Sequence, residues 1–196
     1  MSCINSNWRS PLARALHRNR SLVYSRYVQL ATVTSENRPA NRTVVFRGFL
    51  ENSNHLKFIT DIRSQKIEQI IQQPWAEICW YFPNSREQFR LSGQLILVTE
   101  ETTDTLFQQS RHSTWQSLSD AARSQFAWSH PGKIRDTNPD AFNPPLPNPT
   151  QTLSNFCLLL LDPIKVDHLE LRGEPQNRYL YEYDHALGWL MKSVNP

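Results

Sequence analysis

The sequence predicts a mainly β fold, a β-barrel with flanking helices, in a single domain that spans residues 1–196. Many short runs are rich in aromatic and β-branched residues, which favour strands. Turn signals such as Tyr183-Asp184 separate these runs at short spacing, and such spacing is typical of a barrel. Only a few segments carry the periodicity of a helix. A chain of this length buries a substantial core without dividing.

Helices are predicted at three places that flank the strands. An arginine-rich amphipathic helix is expected from about residue 11 to 18, within an N-terminal helical arm over residues 1–20. A second begins after Ser64, because Ile67, Ile70 and Ile71 recur at the spacing of one helical face. A third helical segment runs from about residue 103 to 128, with an interruption around residues 111–113.

The strand predictions rest on length, aromatic content and β-branching. The longest apolar run, over residues 156–161, is expected to be a buried strand and is far shorter than the ~20 residues of a membrane helix. The C-terminal strands fill residues 155–196. The predicted strands cover residues 27–34, 42–49, 56–60, 76–82, 88–98, 155–161, 165–171, 178–183 and 188–192.

One segment, the proline-rich loop over residues 130–152, does not belong to the barrel. Six prolines lie from Pro131 to Pro149, and they exclude a continuous helix or a central strand. Such a loop is either a disordered spacer or a semi-rigid strap over a ligand. We favour a partly ordered strap.

Charge and cysteine usage exclude several functional classes. Before residue 50 the chain contains eight arginines and a single glutamate. A nucleic-acid-binding surface would also need base-stacking aromatic residues, a zinc-ligand spacing or a recognition helix, and the sequence shows none of these. We therefore expect no nucleic-acid partner. The start of the chain lacks the apolar core of a signal peptide. Cys3, Cys79 and Cys157 form neither a metal spacing nor a disulfide framework. We expect a cytoplasmic protein without a membrane partner or a bound metal.

The most informative residues form a candidate cradle for a phosphorylated ligand. Arg42 and Lys66 supply a forked guanidinium and an ammonium, which suit the charge and acceptor oxygens of a phosphate. A helix that begins near Ser64 would add free backbone donors and its positive dipole end. The blander interpretation stays open, because strand-end arginines and Ser-x-Lys helix starts also occur in proteins that bind no phosphate.

Four segments carry a family resemblance. Residues 42–47 read R-x-V-x-x-R and residues 58–66 read F-x-T-x-x-x-S-x-K, and Arg86-Glu87-Gln88-Phe89-Arg90-Leu91-Ser92-Gly93 follows downstream. With the C-terminal run Asn177-Arg178-Tyr179-Leu180-Tyr181, this pattern resembles the pyridoxamine 5'-phosphate oxidase-related flavoproteins, in particular their cyanobacterial and plant branch. The resemblance runs from about Tyr27 to the end. It implies an FMN-binding split β-barrel and a homodimer with FMN sites at the subunit interface.

The resemblance also implies a set of cofactor-binding residues. Arg42 and Lys66 match FMN phosphate ligands, Gln88 matches a glutamine at the polar edge of the ring, and Arg178 matches an arginine that reaches the flavin across the dimer interface. His168 stands where a tryptophan usually contacts the ring. The full predicted set is Arg42, Thr43, Val44, Val45, Phe46, Arg47, Ile59, Thr60, Ser64, Gln65, Lys66, Gln88, His168 and Arg178.

Departures from the family pattern concern charge. Arg47 replaces a usual lysine, and Gln65 replaces a usual arginine, which removes one charge from the phosphate site. Glu174 and Gln176 stand where the oxidases present an arginine and a histidine to the substrate. A tyrosine and an arginine for the substrate phosphate are also missing, although Ser124-Gln125 is retained. These departures indicate retained FMN binding with an altered vitamin B6 site.

The leading hypothesis is an FMN-dependent oxidoreductase that acts on a small-molecule substrate, with the flavin carrying the chemistry and no catalytic side chain assigned. A true pyridoxamine or pyridoxine 5'-phosphate oxidase is one alternative. A flavin-binding carrier or sensor without turnover is a second, and a flavin-free relic that binds heme or nothing is a third. The isolated histidines and the lack of G-x-S-x-G, H-E-x-x-H and G-x-G-x-x-G motifs favour neither hydrolysis nor a Rossmann site.

Overall fold

The computed structural model describes residues 4, 5 and 8–196, with side chains from Trp8 onward. Cys3 and part of the predicted helical arm lie outside the described residues. The helices are α1 (Arg9–Arg18), α2 (Gln65–Gln72), α3 (Thr105–Gln116) and α4 (Asp120–Ser124). The strands are β1 (Ile4–Asn5), β2 (Tyr27–Val33), β3 (Pro39–Val45), β4 (Leu56–Asp61), β5 (Trp75–Phe82), β6 (Glu87–Val98), β7 (Phe156–Glu170), β8 (Asn177–Asp184) and β9 (Gly188–Val194).

The described strands form one antiparallel sheet. Eight of them follow the order β1-β9-β8-β7-β6-β5-β2-β3, and the ninth, β4, branches off β7. The long strand β7 pairs with β6 along one edge, and its other edge is shared by β4 and β8. Among the described strands, β3 pairs only with β2 and β4 pairs only with β7, apart from an isolated bridge between Leu56 and Phe49. The barrel is therefore split between β3 and β4. This architecture confirms the predicted mainly β fold.

The core lies on the inner face of this sheet. Burial alternates along β5 and β6, so that Trp80, Phe89 and Leu91 point inward and are fully buried. Helix α1 covers the core with Trp8 and Leu12, which are also buried. Each large apolar side chain removed from water contributes about 1.5–3 kcal/mol, so this core accounts for much of the folding free energy.

Strand β7 corrects the prediction of two strands over 155–161 and 165–171, which was wrong. It runs without interruption through Pro163. Ser92 of β6 pairs with Lys165 and Gly93 pairs with Pro163, so Ile164 is an extra residue that forms a bulge in β7. A bulge tolerates a proline within a sheet, since one residue there is left out of the ladder. The sequence pattern of apolar runs does not reveal this bulge.

Two other boundaries also differ from prediction. The helix break expected around residues 111–113 is wrong: α3 is continuous there, and the chain leaves helical geometry between Gln116 and Asp120. Ser119 caps α4 by accepting a hydrogen bond from the backbone N–H of Ala122 at 3.3 Å. The strand predicted over 42–49 begins earlier, at Pro39, and ends at Val45.

The proline-rich loop over 130–152 contains a 3₁₀ turn, Pro139–Phe142, and otherwise follows an irregular path. The indole N–H of Trp115 donates to the carbonyl of Asn148 at 3.1 Å, and the rings of Trp128 and Phe142 meet edge to face at 6.1 Å. These contacts join the loop to α3 and to the residues just before it, and its role as a strap over a ligand stays a prediction. In the described part of the chain, no helix has the length and apolarity needed to cross a membrane.

We predict that Gly93→Ala strongly destabilises the protein. An added Cβ would lie 1.9 Å from the carbonyl oxygen of Asp162, so the β6–β7 ladder must shift. Thermal or denaturant unfolding should show a loss of about 3 kcal/mol or more. The control is Gly132→Ala, which meets no atom within 4 Å but has φ +76; it should cost only about 1–2 kcal/mol. Equal effects of the two changes would contradict the close approach at Gly93.

Candidate functional site

A cavity of about 460 Å³ lies at the split between β3 and β4. Its volume is in the range of small-molecule and cofactor pockets, which is about 300–1,000 Å³. Its lining residues come from β3, from β4 and the start of α2, and from the segment that contains α4. They are Arg42, Thr43, Val44, Val45, Arg47, Ile59, Thr60, Asp61, Lys66, Ala122, Gln125 and Phe126.

Arg42 is held in place by neutral acceptors. Its Nη2 donates to Oε1 of the buried Gln69 at 2.9 Å, and its Nη1 donates to the carbonyl of Ala40 at 3.1 Å and to the hydroxyl of Thr32. Burial lowers the pKa of the guanidinium. A charge oriented by neutral groups is preorganised for an anion in the cavity.

Lys66 is the second cation and lies in the first turn of α2. Its Nζ donates to the hydroxyls of Ser64 at 2.7 Å and Thr60 at 2.9 Å. Burial and, after it, the charge of Arg42 lower the pKa of the ammonium. The energetic cost of placing these two cations together falls when an anion binds between them.

Arg47 is the third cation of the cavity, and its side chain is exposed. Partial desolvation and then the charge of Arg26 lower the pKa of its guanidinium. Its backbone N–H donates to the carbonyl of Lys57 at 2.8 Å, which joins β3 to β4 at one end of the split. Phe46, between Val45 and Arg47, points into the core and packs on Trp80 at 4.9 Å.

The charge balance of the cavity is positive. Among residues 8–196, no carboxylate forms a salt bridge with Arg42, Arg47 or Lys66. Of the described residues that line the cavity, Asp61 alone is acidic, and Arg63 binds both of its carboxylate oxygens. The cavity therefore suits a ligand that carries a phosphate or a comparable anion.

Backbone groups and apolar side chains form the rest of the cavity. From Pro39 to Val45, the outer edge of β3 has no strand partner in the described chain, so its outward polar groups face the split. Val44, Val45 and Ile59 add apolar surface. This combination of free strand-edge groups and branched apolar side chains fits a flat heteroaromatic ring with a polar rim.

The structure brings eight of the predicted site residues to the cavity: Arg42, Thr43, Val44, Val45, Arg47, Ile59, Thr60 and Lys66. Ser64 does not line the cavity, but its hydroxyl accepts a hydrogen bond from Lys66, which does. Gln65 instead lines a neighbouring polar cavity of about 370 Å³. Phe46 lies in the core, and Gln88, His168 and Arg178 lie elsewhere in this single chain.

Gln88 and Arg178 share the outer face of the sheet with Val45. Gln88 pairs with Tyr81 and with Leu169, which pairs in turn with Arg178. Val45 pairs with Tyr27, and continuing the register of β2 against β5 places Tyr27 beside Tyr81. Val45, Gln88 and Arg178, three of the predicted site residues, thus lie in one cross-strand row on the outer face.

Arg178 is oriented on that face by a carboxylate. Asp167 accepts from its Nε at 3.0 Å and from its Nη2 at 2.8 Å, and also forms a salt bridge with Arg90 at 3.2 Å. The hydrogen bonds to Asp167 raise the pKa of the Arg178 guanidinium. This bidentate geometry fixes the plane of the guanidinium without burying it.

His168 lies on the opposite face of the sheet from Arg178. It is buried, its Nε2 lies 2.9 Å from a carboxylate oxygen of Glu87, and its ring stacks on Phe89 at 4.0 Å. Burial opposes ionisation of Glu87, but hydrogen bonds from His168 and Ser85 outweigh it, so the pKa of Glu87 is lowered. Flavin contact by His168 stays a prediction, and within this chain the residue does not reach the cavity.

Four cavity residues were not in the predicted set, and one of them is Asp61 at the end of β4. The other three are Ala122, Gln125 and Phe126. They lie about sixty residues beyond β4 in sequence, in a segment without a binding motif of its own. The retained Ser124-Gln125 pair was the available signal, but spacing alone does not reveal which β edge this segment covers.

Comparisons with known proteins agree with this geometry. Residues 5–99 match the family model described as pyridoxamine 5'-phosphate oxidase, FMN-binding domain. Pyridoxine/pyridoxamine 5'-phosphate oxidase 2 of Arabidopsis thaliana is 37% identical over 194 residues, with 96% of each chain covered. A pyridoxamine 5'-phosphate oxidase-related, FMN-binding protein from Nostoc punctiforme is 59% identical, with a TM-score of 0.94 and complete coverage of both chains.

A more distant structure supports the fold alone. PhzG from Burkholderia lata, solved with tetrahydrophenazine-1-carboxylic acid, is 19% identical, has a TM-score of 0.77 and covers 96% of this chain and 92% of its own. The sequence matches and the split barrel with its cationic cavity support the same assignment. The chain therefore belongs to the pyridoxamine 5'-phosphate oxidase-related family of FMN-binding proteins.

Proposed function

We propose that this protein is an FMN-dependent oxidoreductase whose flavin occupies the cavity between β3 and β4. The observation that carries the proposal is the group of three cations, Arg42, Arg47 and Lys66, which lack a carboxylate partner in the described chain and surround one cavity. The family cofactor is an isoalloxazine ring with a phosphate, which fits this charge pattern. When bound, the flavin supplies hydride acceptance from the substrate and electron transfer to an acceptor.

The phosphate end of the site is assigned to Arg42 and Lys66. Lys66 stands beside Ser64 and Thr60, whose hydroxyls orient its ammonium. Charge-assisted hydrogen bonds of this kind contribute about 1.5–3 kcal/mol each. Gln65 adds no charge and lines the neighbouring cavity, so the phosphate depends on two cations rather than three.

The ring end of the site is assigned to the free edge of β3 and to Ile59. The backbone from Thr43 to Val45 faces the split and would orient the polar rim of the ring. Val44, Val45 and Ile59 exclude water from its faces. Arg47 places a positive charge at this end, which favours an anionic ring or substrate.

We predict that Lys66→Met weakens FMN binding by about 1.5–3 kcal/mol, which is roughly ten- to a hundredfold. Riboflavin lacks the phosphate, so its affinity should change much less. Fluorescence titration of the apoprotein measures both constants. Lys133→Met, which removes an exposed lysine from the proline-rich loop, is the matched control and should bind FMN normally. An equal loss for the two flavins would argue against a phosphate contact.

The same lysine should make FMN affinity depend on pH. Because the pKa of Lys66 is lowered in the free protein, its charge is lost at a lower pH than that of an ordinary lysine. Binding of the phosphate favours the protonated form, so FMN affinity should fall as the pH rises through the lowered pKa. Lys66→Met should flatten this part of the pH profile.

We also propose that the substrate site is altered relative to the vitamin B6 oxidases. Glu174 and Gln176 lie in the β7–β8 connection and line a cavity of about 680 Å³ with Arg86 and Pro196. A carboxylate in the place of an arginine repels a substrate phosphate. The second candidate, a true pyridoxine/pyridoxamine 5'-phosphate oxidase, is favoured by the name of the Arabidopsis relative.

We predict that Glu174→Arg with Gln176→His raises the affinity for pyridoxal phosphate by about tenfold, the equivalent of one charge-assisted hydrogen bond. Equilibrium dialysis or quenching of flavin fluorescence measures it. Glu174→Gln alone removes the repulsion of the substrate phosphate but adds no positive charge, so it should give a smaller gain in affinity for pyridoxal phosphate. Turnover of pyridoxamine phosphate by the wild-type protein, with hydrogen peroxide release, would instead support the true oxidase.

We further propose a homodimer with the FMN sites at the subunit interface. The outer face of the sheet exposes Tyr27 by 45% and Tyr81 by 48% beside Gln88 and Arg178. Aromatic residues and arginine are enriched in protein interfaces. If a partner subunit packed on this face, Arg178 would lie near the partner's cavity. The two hydrogen bonds to Asp167 would then orient the Arg178 guanidinium for that contact.

We predict a solution mass of about twice the 22.9 kDa chain by light scattering. Tyr81→Asp should shift the protein towards monomer, because it places a charge in the centre of the proposed interface. Ile134→Asp changes a side chain that is 99% exposed in the proline-rich loop, and should leave the mass unchanged. A monomeric wild-type protein would contradict this assignment.

A further inference from the structure

Arg63 lies beside the flavin cavity without lining it. It occupies the turn between β4 and α2, and its side chain is only 22% exposed. Its Nε donates to Oδ1 of Asp61 at 2.9 Å and its Nη2 donates to Oδ2 at 2.7 Å. The backbone N–H of Arg63 also donates to Oδ1, at 2.8 Å. The sequence motif gives this position no role.

The first consequence concerns charge. Asp61 supplies the one carboxylate among the described lining residues, and its side chain is only 15% exposed. An unpaired carboxylate there would oppose binding of an anion, since like charges repel strongly where water is partly excluded. The bidentate pair with Arg63 balances that charge and turns both oxygens towards the guanidinium.

The second consequence concerns the opposite wall of the cavity. The Nη2 of Arg63 also donates to the carbonyl of Phe126 at 3.3 Å and to that of Trp128 at 3.2 Å. Phe126 lines the cavity, and Trp128 precedes the proline-rich loop. One guanidinium therefore joins the end of β4 to a segment about sixty residues away in sequence.

Asn155 supports the same connection. Its Nδ2 donates to the carbonyl of Phe126 at 3.2 Å, and its carbonyl accepts from the backbone N–H of Ile62 at 2.9 Å. Arg63 is thus the charged member of a small network that sets the distance between two cavity walls. Its Nε and Nη2 are both engaged in this network.

We propose that Arg63 is a positioning residue for flavin binding, which shields the charge of Asp61 and holds the Phe126 wall against the cradle. The proposal rests on FMN occupying the cavity between β3 and β4. The two roles affect different parts of the ligand. Shielding of Asp61 matters for the phosphate, whereas the position of Phe126 matters for any ligand that carries the ring.

The test is a comparison of FMN and riboflavin affinities, measured by titration of apoprotein. Arg63→Ala should weaken FMN by about tenfold and riboflavin by about threefold, because only FMN carries the phosphate that an unshielded Asp61 repels. In the double variant Asp61→Asn with Arg63→Ala, most of the extra FMN loss should disappear while the riboflavin loss remains. Asparagine keeps Oδ1 as an acceptor for the backbone N–H of residue 63.

Two controls separate positioning from general stability. Arg63→Lys retains the charge without the bidentate fork, so it should shield Asp61 and recover FMN affinity more than riboflavin affinity. Arg135→Ala removes a guanidinium that stacks on Phe142 at 4.8 Å within the proline-rich loop, and should change neither affinity. Thermal unfolding of each apoprotein identifies any loss of flavin affinity that is due to unfolding alone.

The outcomes are distinct. Wild-type affinity of folded Arg63→Ala for both flavins would overturn the proposal, as would a lower melting temperature with unchanged affinities. Equal losses for FMN and riboflavin, with no recovery in the double variant, would overturn the shielding of Asp61. Failure of the wild-type protein to bind FMN would refute the cofactor site itself, and is thereby distinguishable from a failure of the role of Arg63.

Discussion

The structure depends on one feature of its sheet: β3 and β4 do not pair along their length. The chain just beyond β3 meets β4 at one end of the gap, where the N–H of Arg47 donates to the carbonyl of Lys57 and the N–H of Lys57 donates to the carbonyl of Gly48, both at 2.8 Å. Because β4 pairs with β7 instead, the rest of β3 keeps a free edge. An unsatisfied strand edge is energetically costly and attracts a partner. We propose that the partner here is a flavin, which would make the gap in the barrel the cofactor site as well.

Electrostatics adds a second constraint at the same place. The cations around the gap have neutral hydrogen-bond partners, such as Gln69 and Ser64, which orient them without neutralising them. Burial without a counter-charge lowers the pKa of Arg42 and Lys66 and costs stability in the free protein. In the proposed site, a bound phosphate would relieve that cost. The protein therefore exchanges some folding free energy for preorganised binding, which is a common property of functional sites.

Acidic residues around the barrel hold arginines in specific orientations. Asp61 binds Arg63 inside the cavity region, and Asp167 binds Arg178 on the outer face, each through both carboxylate oxygens. The first pair connects two cavity walls within the chain. The second pair presents a cation on the face that we propose for dimerisation. The same bidentate geometry thus serves internal positioning in one case and an external surface in the other.

Sequence alone determined the fold class, most strand positions and the cationic cradle, because alternation along strands and the motifs of residues 42–47 and 58–66 are local properties. Tertiary structure decided the rest. The uninterrupted β7 depends on a bulge at its own Ile164, opposite Ser92 and Gly93 of β6. The inclusion of Phe126 in the cavity depends on which strand edge its segment covers. The separation of His168 from Arg178 onto opposite faces follows from strand register. These features arise from contacts between residues far apart in sequence, which local periodicity does not encode.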